Sequence, residues 1–115
     1  MNNIKQEPVH AGEFLLSEGN GNISREAIAV VAGAALVAGQ VLGQVAATGE
    51  FAAYAPDAED GTEKAVCILF ASLGVSDVTR RGRAVVRMAE VSEALLTGLD
   101  LDAEKALNDK QIIIR

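Results

Sequence analysis

The chain has little of what catalytic and metal sites are usually built from. Its 115 residues include one cysteine (Cys67), one histidine (His10), two prolines and no tryptophan. The aromatic residues are only Phe14, Phe51, Phe70 and Tyr54. A single cysteine excludes an intrachain disulfide, and nothing points to an oxidising compartment. His10 and Cys67 lie far apart in sequence and make neither a zinc site nor a Cys-His nucleophile pair, so no metal or cofactor is expected. Basic residues are also scarce: ten Lys and Arg against sixteen Asp and Glu give a formal charge of −6. That balance disfavours a nucleic-acid partner, because phosphate contact needs a basic surface. No basic stretch followed by an apolar one opens the chain, so no secretory signal is expected.

Charge is missing altogether from Ala27 to Ala47, 21 residues that must be weighed as a membrane span. Gln40, Gln44, three glycines and abundant alanine weigh against it. Two buried strands joined by a glycine turn, with no membrane contact, are the better reading.

What the chain does have is small residues, 20 alanines and 11 glycines. Each buries little area, at about 25 cal/mol per Å². A monomer built this way is only modestly stabilised, so association with other copies is a reasonable expectation. The length fits one domain. Residues 1–11 are polar, contain Pro8 and show no period, which predicts a flexible arm. Glu13, Phe14, Leu15, Leu16 and Ser17 look like a short strand, and Gly19-Asn20-Gly21-Asn22 reads as a turn or hinge. This places an arm at 1–22 and the folded domain at 23–115.

Within that domain the patterning predicts strands at Ala27–Val31, Val41–Ala46, Glu50–Ala55, Lys64–Ala71, Gly82–Met88 and Ile112–Ile114. Turns are expected at Thr48-Gly49 and at Pro56–Thr62, and a loop at Leu73–Arg81. Short helices are expected over Glu90–Leu96 and Asp102–Lys110, the latter capped by Asp100 or Asp102. The fold class is therefore mainly β with one or two short helices.

Four features could carry chemistry. Ser24-Arg25-Glu26 follows the Gly/Asn turn; it reads as local hydrogen bonding, with Ser24 on nearby backbone and Arg25 on a carboxylate. Gly33, Gly39 and Gly43 are not spaced as a phosphate-binding fingerprint, and no basic residue follows them. Gly43 shares a strand face with Val41 and Val45, where close backbone packing or a bend would explain it. Asp57, Glu59, Asp60 and Glu63 around Gly61 do not match a calcium loop and read as a solvated acidic turn. Arg80, Arg81, Arg83 and Arg87 read as a solvated strand face or as a contact for an acidic patch on a partner.

Several segments occur in a telling order. GEFLLSE leads through the Gly/Asn turn to SRE, and AGQVLG (Ala38–Gly43) precedes TGE (Thr48–Glu50) with its Gly49. DGTE (Asp60–Glu63) stands before AVCIL, and QIIIR closes the chain. This series resembles the head decoration protein D family of tailed phages, from about Gly12 to Arg115. The resemblance implies a β-clip-like domain with a flexible N-terminal arm. It implies a homotrimer bound to the major capsid protein on the exterior of a mature head, without catalysis, nucleic acid or membrane. The expected mechanism is strand addition by the arm, Glu13–Ser17 above all, to capsid backbone. Three arms per trimer would multiply a weak contact. A β-clip ligand-binding or enzyme domain, or a small membrane-associated protein, is the alternative. The chain departs from the family at Gln111-Ile112, where a helix-stopping glycine usually precedes the isoleucine; the helix end is therefore uncertain.

Overall fold

A computed structural model describes residues 10–19 and 23–115. The predicted flexible arm at 1–11 and the Gly19–Asn22 hinge fall mostly outside the described residues. The chain forms β1 (Leu15–Glu18), β2 (Arg25–Val30), β3 (Val41–Gln44), β4 (Phe51–Ala53), β5 (Cys67–Leu69), β6 (Arg80–Val85) and β7 (Ala89–Val91). Helix α1 (Leu101–Asn108) and strand β8 (Ile112–Ile114) follow a single 3₁₀ turn at Glu93–Leu95. The fold is mainly β, as the alternation of apolar residues predicts.

Five strands close a small barrel in the order β2-β4-β3-β5-β6. Its longest seam is the antiparallel ladder of β2 and β6, from Arg25 opposite Val85 to Val30 opposite Arg80. Strands β1, β7 and β8 make a separate sheet in that order. There β7 pairs antiparallel with β1, across a bulge between Leu15 and Ser17, and parallel with β8.

Strand alternation sends successive side chains to opposite faces, and here both faces are used. Ile28, Val30, Leu42, Cys67, Leu69 and Ala84 fill the barrel. Val41, Ile68 and Val85 belong to a second core with Phe14, Val91 and Ile112 of the three-stranded sheet and Ala103 and Leu107 of α1. Strands β3, β5 and β6 are thus covered inside and out. That double burial explains why Cys67, Ile68 and Leu69 are apolar at consecutive positions and all buried.

The helix starts where the Asp100 carboxylate accepts the Ala103 amide at 2.7 Å, satisfying one of the orphan donors of the first turn. It stops without glycine. Gln111 itself adopts φ 64°, and its amide reaches the Asn108 carbonyl at 2.9 Å. A non-glycine residue in this left-handed region is strained.

Two expectations need correction. Glu90–Leu96 is not a helix: Ala89–Val91 is a strand held between β1 and β8, and only Glu93–Leu95 turns. Nor does the folded domain begin near Ile23. The Gly12 amide donates to the Phe70 carbonyl at 2.9 Å, Phe14 is fully buried, and β1 is paired. The fold therefore already includes the chain from Gly12, because the Phe14 ring packs into the second core.

Candidate functional site

The N-terminal segment lies on the three-stranded sheet. Glu13 caps its own turn by accepting the His10 amide at 2.8 Å. Phe14 points into the second core and Leu15 packs against it. Leu16 and Ser17 are exposed. Strand β1 is an edge strand, and an edge presents backbone donors and acceptors to any strand that can approach. Beside it opens a groove of about 340 Å³ lined by Gly12, Leu15, Leu16, Glu18, Arg25 and Phe70.

The Ser-Arg-Glu triplet fixes this groove to the barrel. The buried Ser24 hydroxyl donates to the Met88 carbonyl and accepts the Gly19 amide, both at 2.8 Å. Arg25 makes a two-pronged pair with Glu18 and stacks over the Phe70 ring, 4.1 Å from its centroid. Glu26 pairs with Arg87. Ser24 meets one near neighbour and one residue distant in sequence, so the triplet ties the N-terminal segment to the turn after β6. The sequence shows the chemistry of these bonds but not that distant partner.

Gly39, Gly43 and Gly61 sit where backbone crosses backbone. A Cβ on Gly43 would lie 2.6 Å from the Thr62 Cα and 2.7 Å from its carbonyl oxygen. The 56–62 turn therefore runs directly over β3, and only glycine lets it. Gly39 combines φ 91° with a Leu95 carbonyl 2.5 Å from where its Cβ would be. Gly49 lies in the turn between β3 and β4, and Gly61 in the acidic turn against the Gln44 carbonyl. In that turn the Thr62 hydroxyl donates to Asp60 at 2.6 Å and the Thr62 amide at 3.1 Å. Both bonds favour the ionised carboxylate and hold its pKa below the usual range. Among the described residues no three His, Cys, Asp or Glu side chains gather as a metal site would require.

The arginine run divides into three roles. Arg80 is 9% exposed and meets no carboxylate. It donates to the Val31 carbonyl from Nε and Nη2, at 3.1 and 2.6 Å, and from Nη1 to the Ala34 and Gly74 carbonyls, at 2.9 and 2.7 Å. A single guanidinium thus ties the loop after β2 to the loop before β6. This corrects the expectation of a solvated strand face at Arg80. Arg87 pairs with Glu26 and donates to the Ile23 carbonyl. Arg81 and Arg83 are exposed, and neither meets a carboxylate among the described residues.

One link escaped the sequence. The Tyr54 hydroxyl donates to both Asp100 oxygens, at 2.9 and 3.0 Å. Asp100 in turn caps α1, so the residue after β4 anchors the start of the helix. Burial, with the Asp100 hydrogen bond adding to it, pushes the Tyr54 pKa up to about 12. Nothing local to either residue signals a partner 46 positions away. Cys67 is buried in the barrel, which drives its thiol up to about 12 and leaves it a small apolar filler. No helix among the described residues is long and apolar enough to cross a membrane; Ala27–Ala47 divides between β2, a loop and β3.

No curated protein matches the chain. The family described as bacteriophage lambda head decoration protein D matches residues 4–112, all but three residues at each end. With that coverage, and a mainly β domain behind it, the chain belongs to the bacteriophage lambda head decoration protein D family.

Proposed function

We propose that this protein binds the exterior of a mature phage head as homotrimers and reinforces the shell against the pressure of packaged DNA. The observation that carries this reading is the family match over 4–112, which makes it a decoration protein of the phage capsid. Its partner is the major capsid protein. Its work is mechanical, so no catalysis, cofactor, nucleic acid or membrane takes part, and it passes through the host cytoplasm only during assembly.

The attachment device takes a different form from a free arm spanning 1–22. Phe14 anchors the Glu13–Ser17 segment in the core, so releasing it would expose a buried aromatic ring. The open edge of β1 instead serves as the template on which capsid backbone adds, with Leu16, 54% exposed, as the side-chain contact. The residues before His10 extend that contact. Strand addition supplies backbone hydrogen bonds, and three copies per trimer turn later contacts into intramolecular ones.

Co-sedimentation with decoration-free expanded heads tests this. Deletion of residues 1–9 and the substitution Leu16→Asp should each leave the domain folded by circular dichroism and sharply reduce head binding. Undiminished decoration by both variants would mean that another face makes the contact.

A further inference from the structure

The loops after β2 and before β6 form a lobe beside the barrel. Gly33 and Ser76 exchange backbone hydrogen bonds at 2.8 and 3.1 Å, and Leu36 and Leu73 do so at 2.9 Å in both directions. The Ser76 hydroxyl accepts the Val78 amide and donates to the Val78 carbonyl, and Arg80 clamps the base through Val31, Ala34 and Gly74. The tip is therefore rigid although it contains no regular strand. It presents Val75, 79% exposed, and Val78, 64% exposed, with the Asp77 carboxylate between them.

At the base of the same lobe, on the outer face of the β2–β6 ladder, lies a groove of about 460 Å³. Its walls are Ala27, Phe70, Ala71, Leu73, Arg81 and Arg83. A smaller hollow of about 250 Å³ shares Ala27 and Arg81 with it. The groove is apolar with two arginines on its rim, and the tip is apolar with one carboxylate. Among the described residues Asp77 meets no cation and the two arginines meet no anion.

We infer that the Val75–Val78 tip of one copy seats in the Ala27–Leu73 groove of the next, with Asp77 set against Arg81 and Arg83. The inference rests on the trimer reading above and names the surfaces that would build it. Tip and groove differ within each copy, so the contact is head to tail. Such contacts give a closed ring when the rotation closes and a filament when it does not. Because tip and groove adjoin on one flank, successive copies turn sharply and the ring is small. The clamp fixes the tip before contact, so little conformational entropy is lost on association. The unpaired charges set register and exclude misaligned partners.

Native mass spectrometry at micromolar concentration is the test, with circular dichroism confirming that each variant is folded. Wild-type protein should be a trimer. Val75→Asp with Val78→Asp should give folded monomers, because both side chains are exposed in the single copy. Asp77→Arg alone should weaken the trimer at least tenfold, as should Arg81→Asp with Arg83→Asp. All three charge changes in one chain should restore it. Wild-type monomers would remove the trimer reading and this interface together. Trimers that survive the paired valine substitution, or failure of the charge-reversed chain to recover, would overturn this interface while leaving the trimer reading intact.

Discussion

The barrel interior and the seam between barrel and sheet are both apolar, yet they are assembled differently. The interior is filled from strands that pair with one another and contains no fully buried ring. The seam draws on segments spread along the whole chain: Phe14 near the start, Tyr54 after β4, Leu107 on α1 and Ile112 near the end. The interior is thus a property of a closed ladder, in which neighbouring strands hold each side chain in place. The seam depends on large residues supplied by segments distant from one another in sequence. Losing one filler should damage it more, and more locally, than a comparable loss inside the closed ladder.

The sharpest way to break that asymmetry is Phe14→Ala. It should cost about 3–5 kcal/mol, the usual range for deleting a fully buried aromatic ring. Chemical denaturation measures the loss. Hydrogen exchange should show β7 and β8 losing protection before β3 and β5; uniform loss would mean that the two cores unfold as one. Gly43→Val comes next. It forces a side chain into the backbone of Thr62 and should cost about 3 kcal/mol by overpacking. An unchanged melting temperature would mean that the 56–62 turn lifts away freely.

A smaller effect should follow from Tyr54→Phe, which leaves the ring and removes its bond to the helix cap. A loss of about 1.5–3 kcal/mol is expected for a hydrogen bond to a charged group. The same bond has a pH signature. The Tyr54 pKa is raised in the folded state, so its stabilisation is complete below pH 10 and is lost as pH rises through about 12. The Phe variant should lack that alkaline loss, which pH-dependent melting will reveal. Smallest, and opposite in sign, is Gln111→Gly. It relieves a left-handed residue and should raise stability by about 0.5–1 kcal/mol. A fall in stability would show that the Gln111 side chain holds the helix end through contacts of its own.

These sites also mark where the sequence was readable. Strand β8 runs from Ile112 to Ile114 as its β-branched run predicts, and of the two expected caps, Asp100 and Asp102, it is Asp100 that caps α1. Gly43 stands out because a glycine between two valines calls for close backbone. Phe14 reads locally as part of a short exposed strand, because the core it enters is made by residues 27 to 98 positions away, from Val41 to Ile112. The helix expected over Glu90–Leu96 fails at its start because the three residues of Ala89–Val91 carry no period, and the two partner strands come from opposite ends of the chain. At Arg80 charge predicts exposure, to solvent or to an acidic partner; the three carbonyls that enclose it leave no trace in composition or spacing. What local pattern dictates was legible, and what depends on distant backbone was not.

Leu15 and Ile114 both lie across from Val91, one on each side of β7. Strand neighbours are about 4.8 Å apart, so Leu15 and Ile114 stand only about 10 Å from each other. The order in which the elements are strung is therefore separable from the fold they make. A few residues joining Arg115 to Ala11 would close the polypeptide into a circle, and the exposed Pro56–Asp60 turn could be opened to give new ends. Such a permutant would keep both cores while moving its free termini to the turn that crosses β3, away from the edge of β1.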